Sequence, residues 1–130
     1  AAAQYGLGCM YDLLAADYGD ADAQCNLGFM YEHGRGAARD DAEAVRLYRL
    51  AAEQGDAAAQ YGLGCMYDQG RGVARNDAEA ARLYRLAADE GVAQPQHRLG
   101  RMYEEGRGVA RDDAEAVRLY RRAARQGDRD

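Results

Sequence analysis

Apolar residues recur along this chain at helical period. Between residues 22 and 33, Ala23, Leu27, Met30 and Tyr31 stand at i, i+4, i+7 and i+8, one stripe along a helix. Gly34-Arg35-Gly36 breaks the pattern, as glycine does where a chain must turn left-handed. A second stripe follows in Ala44, Leu47, Tyr48, Ala51 and Ala52, running to about Gln54 before Gly55. Asp40 with Glu43 three residues later reads as a capping box at its start, and Asn76/Glu79 and Asp112/Glu115 repeat it. Asp56 is placed to cap the helix that comes next. The pattern predicts two antiparallel helices joined by a tight glycine loop, and then it starts again.

It starts again at a fixed interval. A 36-residue word fills Ala21–Asp56, Ala57–Val92 and Ala93–Asp128. Repetition at this period marks stacked helix pairs, each burying its apolar face only against its neighbours. The expected fold class is all-α: an α/α superhelical solenoid, read as one domain over residues 1–130 with full repeats at 21–56, 57–92 and 93–128. Residues 1–20 form a truncated repeat. Ala1–Asp12 copies Ala57–Asp68, and Leu13–Asp20 then aligns with Arg85–Val92, so 16 residues holding the glycine loop are missing. One stripe from Ala3 through Leu7, Met10, Tyr11 and Leu14 to Tyr18 allows a single unbroken helix over 3–18. Loss of a loop there is the alternative. Arg129-Asp130 begin a further unit, and no polar capping unit is visible, so the expectation is a longer solenoid or self-association through uncapped ends.

Several recurrences bear on packing. Gly28, Gly64 and Gly100 sit inside helices, where glycine costs about 1 kcal/mol against alanine. Their repetition predicts close backbone approach to a neighbouring helix, where a Cβ would clash. Pro95 falls in a first helical turn, where it forfeits no hydrogen bond. Glu43–Arg46, Glu79–Arg82 and Glu115–Arg118 are i,i+3 pairs on a solvated face. Tyr48, Tyr84 and Tyr120 read as core.

Composition narrows the chemistry. The chain has 28 Ala and 16 Gly and no Ser, Thr, Lys, Ile or Trp. Without lysine or any hydroxyl nucleophile except tyrosine, most covalent and phosphoryl-transfer schemes lose a required part, so no enzyme is expected. Cysteine is the nucleophile that remains, and Cys9, Cys25 and Cys65 recur at no regular interval, which suits small apolar residues in a reducing, cytoplasmic compartment. A net charge of −5 argues against nucleic acid. No apolar run approaches membrane-spanning length, so no membrane insertion is expected. His33 and His97 lie in different units at different phases, with no ligand at metal spacing, and no metal or cofactor is expected.

The core A-x-x-Q-x-x-L-G-x-M-Y-x-x-G-R-G, followed by D-A-E-A-x-R-L-Y-R-x-A-A-x-x-G, resembles the Sel-1-like repeat across residues 21–128. That resemblance implies a tetratricopeptide-like α/α solenoid acting as an adaptor or scaffold, with the first helix of each unit lining the concave surface. Some family members carry a Cys pair in every repeat, and this chain lacks those pairs.

Comparing units within the chain shows which first-helix positions vary. The fifth holds Tyr5, Cys25, Tyr61 and His97; the sixth Gly6, Asn26, Gly62 and Arg98; the ninth Cys9, Phe29, Cys65 and Arg101. The twelfth is always acidic: Asp12, Glu32, Asp68 and Glu104. Members of that acidic row stand a helix spacing of about 10 Å apart, too far to share one ion. Aromatic, sulfur and guanidinium groups are costly fillers for idle surface and common interface anchors. The expected partner is therefore a protein or peptide, bound by Asn26, Phe29, Tyr61, Cys65, His97, Arg98 and Arg101. Arg98 and Arg101 make the last unit locally basic, and pairing with Glu104 and Glu105 is the competing expectation. A purely structural or assembly module is the alternative function.

Overall fold

The structure, a computed structural model, describes residues 19–129. The helix expected over residues 3–18 lies outside the described residues. Among the described residues there are six helices and no strand: α1 Ala21–His33, α2 Asp41–Glu53, α3 Ala57–Gln69, α4 Asp77–Asp89, α5 Ala93–Glu105 and α6 Asp113–Arg129. Helices α1/α2, α3/α4 and α5/α6 pack as pairs, and α2 packs on α3 as α4 does on α5. The chain is an all-α solenoid of stacked pairs.

Caps set the ends of these helices. Asp20 and Asp56 accept from the N–H of Ala23 and Ala59, both at 2.9 Å, and start α1 and α3. Val92 offers α5 no side-chain cap. Asp40, Asn76 and Asp112 cap the second helices through the N–H of Glu43, Glu79 and Glu115. The expected capping box is only half made. Glu43 and Glu79 are held by Arg46 and Arg82 instead of reaching back. The N–H groups that they would have served, on Asp40 and Asn76, donate at 3.0 Å to the carbonyls of Tyr31 and Tyr67. That bond ties each second helix to the last turn of the first. Gly34, Gly70 and Gly106 end the first helices at φ 64°, 65° and 68°, in the left-handed region.

The core runs through the pairs as a stack of Leu27, Leu47, Leu63, Met66, Leu83, Leu99, Met102 and Leu119. The mid-helix glycines let their backbone approach a neighbouring helix closely, as expected, and the group that a Cβ would meet there is a tyrosine ring. A Cβ on Gly64 would lie 2.8 Å from Cε1 of Tyr84, and one on Gly28 or Gly100 would lie 2.9 Å from the ring of Tyr48 or Tyr120. The tyrosine belongs each time to the second helix of the same unit. Its flat ring fills the space that a Cβ would need. Tyr48 is closed in on its other side by Gly62 of α3, whose Cβ would stand 2.9 Å from Cζ. Tyr48 and Tyr84 are fully buried, as core residues should be, whereas Tyr120 is half-buried.

Candidate partner groove

The first helices bring most of the expected site residues to one place. A cavity of about 520 Å³ is walled by Cys25, Asn26 and Phe29 of α1, Tyr61 and Cys65 of α3, and Arg98 of α5. A neighbouring cavity of about 400 Å³ shares Tyr61 and Arg98 and adds His97 and Arg101. Arg101 also lines a third, of about 200 Å³, with Asp68 and Arg107. The sixth and ninth helical positions of successive units line adjoining cavities because the units stack one on the next. Asn26 and Phe29 face outward, Cys65 lies in the floor, and Tyr61 and Arg98 are half-buried between them.

Phe29 is the apolar feature of the rim. It is 45% exposed, and its ring lies against His33, tilted at 49° with centroids 4.2 Å apart. Arg98 does not pair with Glu104 or Glu105. Its Nε donates to the Tyr61 hydroxyl at 2.8 Å, and its guanidinium lies 5.6 Å over the Tyr61 ring. Glu104 accepts from Tyr120 at 2.7 Å, and Glu105 pairs with Arg107 at 3.4 Å. Arg101 is exposed and makes no hydrogen bond or ion pair among the described residues. Of the two neighbouring arginines, one is fixed as a strut between α3 and α5, and the other is unpaired among the described residues.

The floor of the groove is held by a network that the sequence reading did not find. Glu32 accepts from the Tyr48 hydroxyl at 2.6 Å within its unit and from Arg71 of the next unit at 3.2 Å. Arg71 also reaches Asp41 at 3.4 Å. One unit on, Asp68 accepts from Tyr84 at 3.0 Å and from Arg107, which also reaches Asp77 at 3.2 Å. The acidic row is thus the anchor of an arginine clamp between units. Its signal was the joint recurrence of Glu32/Asp68, Tyr48/Tyr84 and Arg71/Arg107 at one period. Burial and then the Glu32 hydrogen bond push the Tyr48 phenol well above its ordinary range.

The thiols in this groove are poor nucleophiles. Burial, with the charge of Asp56, pushes Cys25 up to about 12. Burial also raises Cys65, whose Sγ accepts from the Tyr84 hydroxyl at 3.5 Å. Both are neutral near pH 7, and a reactive cysteine needs the opposite environment. Among the described residues, no group of three or more His, Cys, Asp or Glu is placed to hold a metal ion. Among them too, no helix is long and apolar enough to cross a membrane.

Two solved structures share this architecture at high similarity. A protective antigen of uropathogenic Escherichia coli strains with an SLR fold is 41% identical, with a TM-score of 0.88 over 90% of this chain. This chain spans 25% of that protein's length. A Sel1 repeat protein from Oxalobacter formigenes is 44% identical, with a TM-score of 0.81 over 91% of this chain and 89% of its own. No curated protein matches the chain significantly. The pattern that defines the Sel1 repeat matches residues 1–14, 21–56, 57–92 and 96–128. With that pattern covering most of its length and two Sel1-type structures superposing on it, the chain belongs to the Sel1 repeat family.

Proposed function

We propose that the groove lined by α1, α3 and α5 holds a segment of a partner protein, and that the chain works as a non-catalytic scaffold. Sel1 repeat proteins are generally protein-interaction scaffolds. The observation that carries the reading for this chain is the 520 Å³ cavity with Phe29 open at its rim. An exposed phenylalanine beside a concave, mostly apolar wall is a standard anchor arrangement. The partner is an extended or helical segment with an apolar side chain near Phe29 and an acidic group near Arg101. A guanidinium donates two coplanar hydrogen bonds to a carboxylate, and Arg101 makes no hydrogen bond or ion pair among the described residues. The neutral thiols of Cys25 and Cys65 fit binding and not covalent chemistry.

The test is a selection of displayed peptides on the immobilised chain, followed by calorimetry on the peptides recovered. Phe29→Ala and Arg101→Glu should each weaken them by about 1–3 kcal/mol, with helical content unchanged. Selected peptides that bind both variants as well as the parent would show that recognition lies elsewhere.

A further inference from the structure

The basic end of the groove holds two guanidiniums that no acid among the described residues pairs with. Arg98 lines all three groove cavities. It is half-buried, and its one hydrogen bond among the described residues runs from Nε to the neutral Tyr61 hydroxyl. Its Nη nitrogens keep their donors for a ligand. Arg101, about one turn on, lines two of those cavities and is likewise unpaired among the described residues. The acids nearby are already bonded: Asp68 to Tyr84 and Arg107, Glu104 to Tyr120, and Glu105 to Arg107. Access to Arg101 needs no free end of the solenoid. Phe29, at the same helical position with another unit stacked after it, is 45% exposed.

Charge decides which anion suits this pair. A cation drawn partly out of water without a counter-charge is costly, and an anion arriving beside it offsets that cost. A carboxylate brings one negative charge and two oxygens, so it leaves one of the two guanidiniums without a counter-ion. A phosphate monoester brings about −1.5 to −2 charges at pH 7 and three acceptor oxygens. That matches two forked donors on one helix face.

We propose that the segment held in the groove is phosphorylated, with its phosphate between Arg98 and Arg101. This rests on the groove being the partner site, and it names the anion that the site takes. The source is a phosphorylated side chain of a partner protein. The segment runs extended from the phosphate across α3 to an apolar residue at Phe29. Arg101 and Phe29 lie two units apart, about 20 Å at roughly 10 Å per packed helix. That is about six residues of extended chain. The exposed carboxamides of Asn26 and Gln94 line the cavities between. They offer the donors and acceptors that an extended backbone needs and a helix has already satisfied.

The experiment offers the full chain a degenerate peptide library with a fixed phosphoserine, phosphothreonine or phosphotyrosine between random flanks of about eight residues, long enough for the extended span. Recovered peptides are then measured by calorimetry in phosphorylated, unphosphorylated and Asp-Glu versions. Phosphorylation should tighten binding roughly tenfold or more, as charge-assisted bonds do, with the Asp-Glu version in between. An apolar residue should be enriched about six positions from the phosphate. Arg101→Gln, on an exposed side chain, should remove most of the phosphate-dependent gain and leave the unphosphorylated affinity unchanged. Arg98→Lys keeps the charge, loses the fork and should also reduce the gain. Tyr61→Phe removes the strut bond but neither guanidinium, so the phosphate dependence should survive it. Equal affinity with and without phosphate overturns the proposal, and if Phe29→Ala still weakens both forms the groove stands without it. Phosphate dependence that survives Arg101→Gln and Arg98→Lys together overturns it as well. Orthophosphate bound as tightly as the phosphopeptides overturns the partner segment as the source. A library from which nothing is recovered overturns both the phosphate and the groove.

Discussion

Adding one methyl group at Gly64 tests the packing account most directly. By helix propensity alone Gly64→Ala should stabilise α3 by about 1 kcal/mol. The structure opposes that gain. The new Cβ would sit 2.8 Å and 2.9 Å from Cε1 and Cδ1 of Tyr84, and 3.5 Å from Cβ of Leu83. Tyr84 is 0% exposed, so its ring has nowhere to go without moving α4 away from α3. Overpacking of this kind costs about 1–3 kcal/mol. If the ring tilts, its hydroxyl also leaves the Asp68 carboxylate, and a bond to a charged acceptor is worth about 1.5–3 kcal/mol. The penalties exceed the propensity gain, and the net expectation is a loss of about 1–3 kcal/mol. Gly100→Ala is the matched control. Its Cβ would also meet a tyrosine ring at 2.9 Å, but Tyr120 is half-buried and can swing outward. There the propensity gain should survive, leaving a change between zero and about 1 kcal/mol of added stability. Urea unfolding followed by far-ultraviolet circular dichroism reads both. Equal costs at the two sites, or a Gly64→Ala chain as stable as the parent, would refute the claim that a trapped tyrosine dictates the glycine.

Three further outcomes follow from the electrostatics. Arg107→Ala should cost about 1–3 kcal/mol in urea unfolding, because it strips the half-buried Asp68 of its cation, whereas Arg111→Ala, on an exposed pair, should cost no more than about 0.5 kcal/mol. Equal costs would deny the clamp its role. Hydrogen bonds from Arg39 and Arg107 hold Asp41 and Asp77, respectively, below their ordinary carboxyl range, so the stability they add is full above about pH 4 and is lost as pH falls through the lowered values. Asn at both positions should flatten the acid limb of a stability–pH curve, and an unchanged slope would contradict the pairing. In a Cys9→Ala, Cys65→Ala background, Cys25 should react with maleimide at pH 8 at least about tenfold more slowly folded than in urea, since burial lifts its thiol to about 12. Equal rates would place that thiol in open water.

The sequence by itself determined the helices, their glycine stops, the repeat and the family. All of these rest on relations within a few residues of one another or on copying at a fixed period. The helix caps at Asp40, Asn76 and Asp56 were legible for the same reason, because an N-cap side chain reaches an N–H only three residues away. The other half of the capping box was decided by the fold. Tyr31 and Tyr67 present carbonyls to Asp40 and Asn76 only after the first helix folds back. The glycines announced a close contact, but the contacting group lies about twenty residues away, and only packing shows it to be a ring. Arg98 was weighed against Glu104 and Glu105 of its own helix, yet it bonds across 37 residues to Tyr61 on the neighbouring one. An arginine has several acceptors within its length, and the stacking of helices, not spacing in sequence, chooses among them. The groove belongs to the same class. Asn26, Phe29, Tyr61, Cys65 and Arg98 were suspect as variable positions, and the register of three stacked units brings them around one cavity.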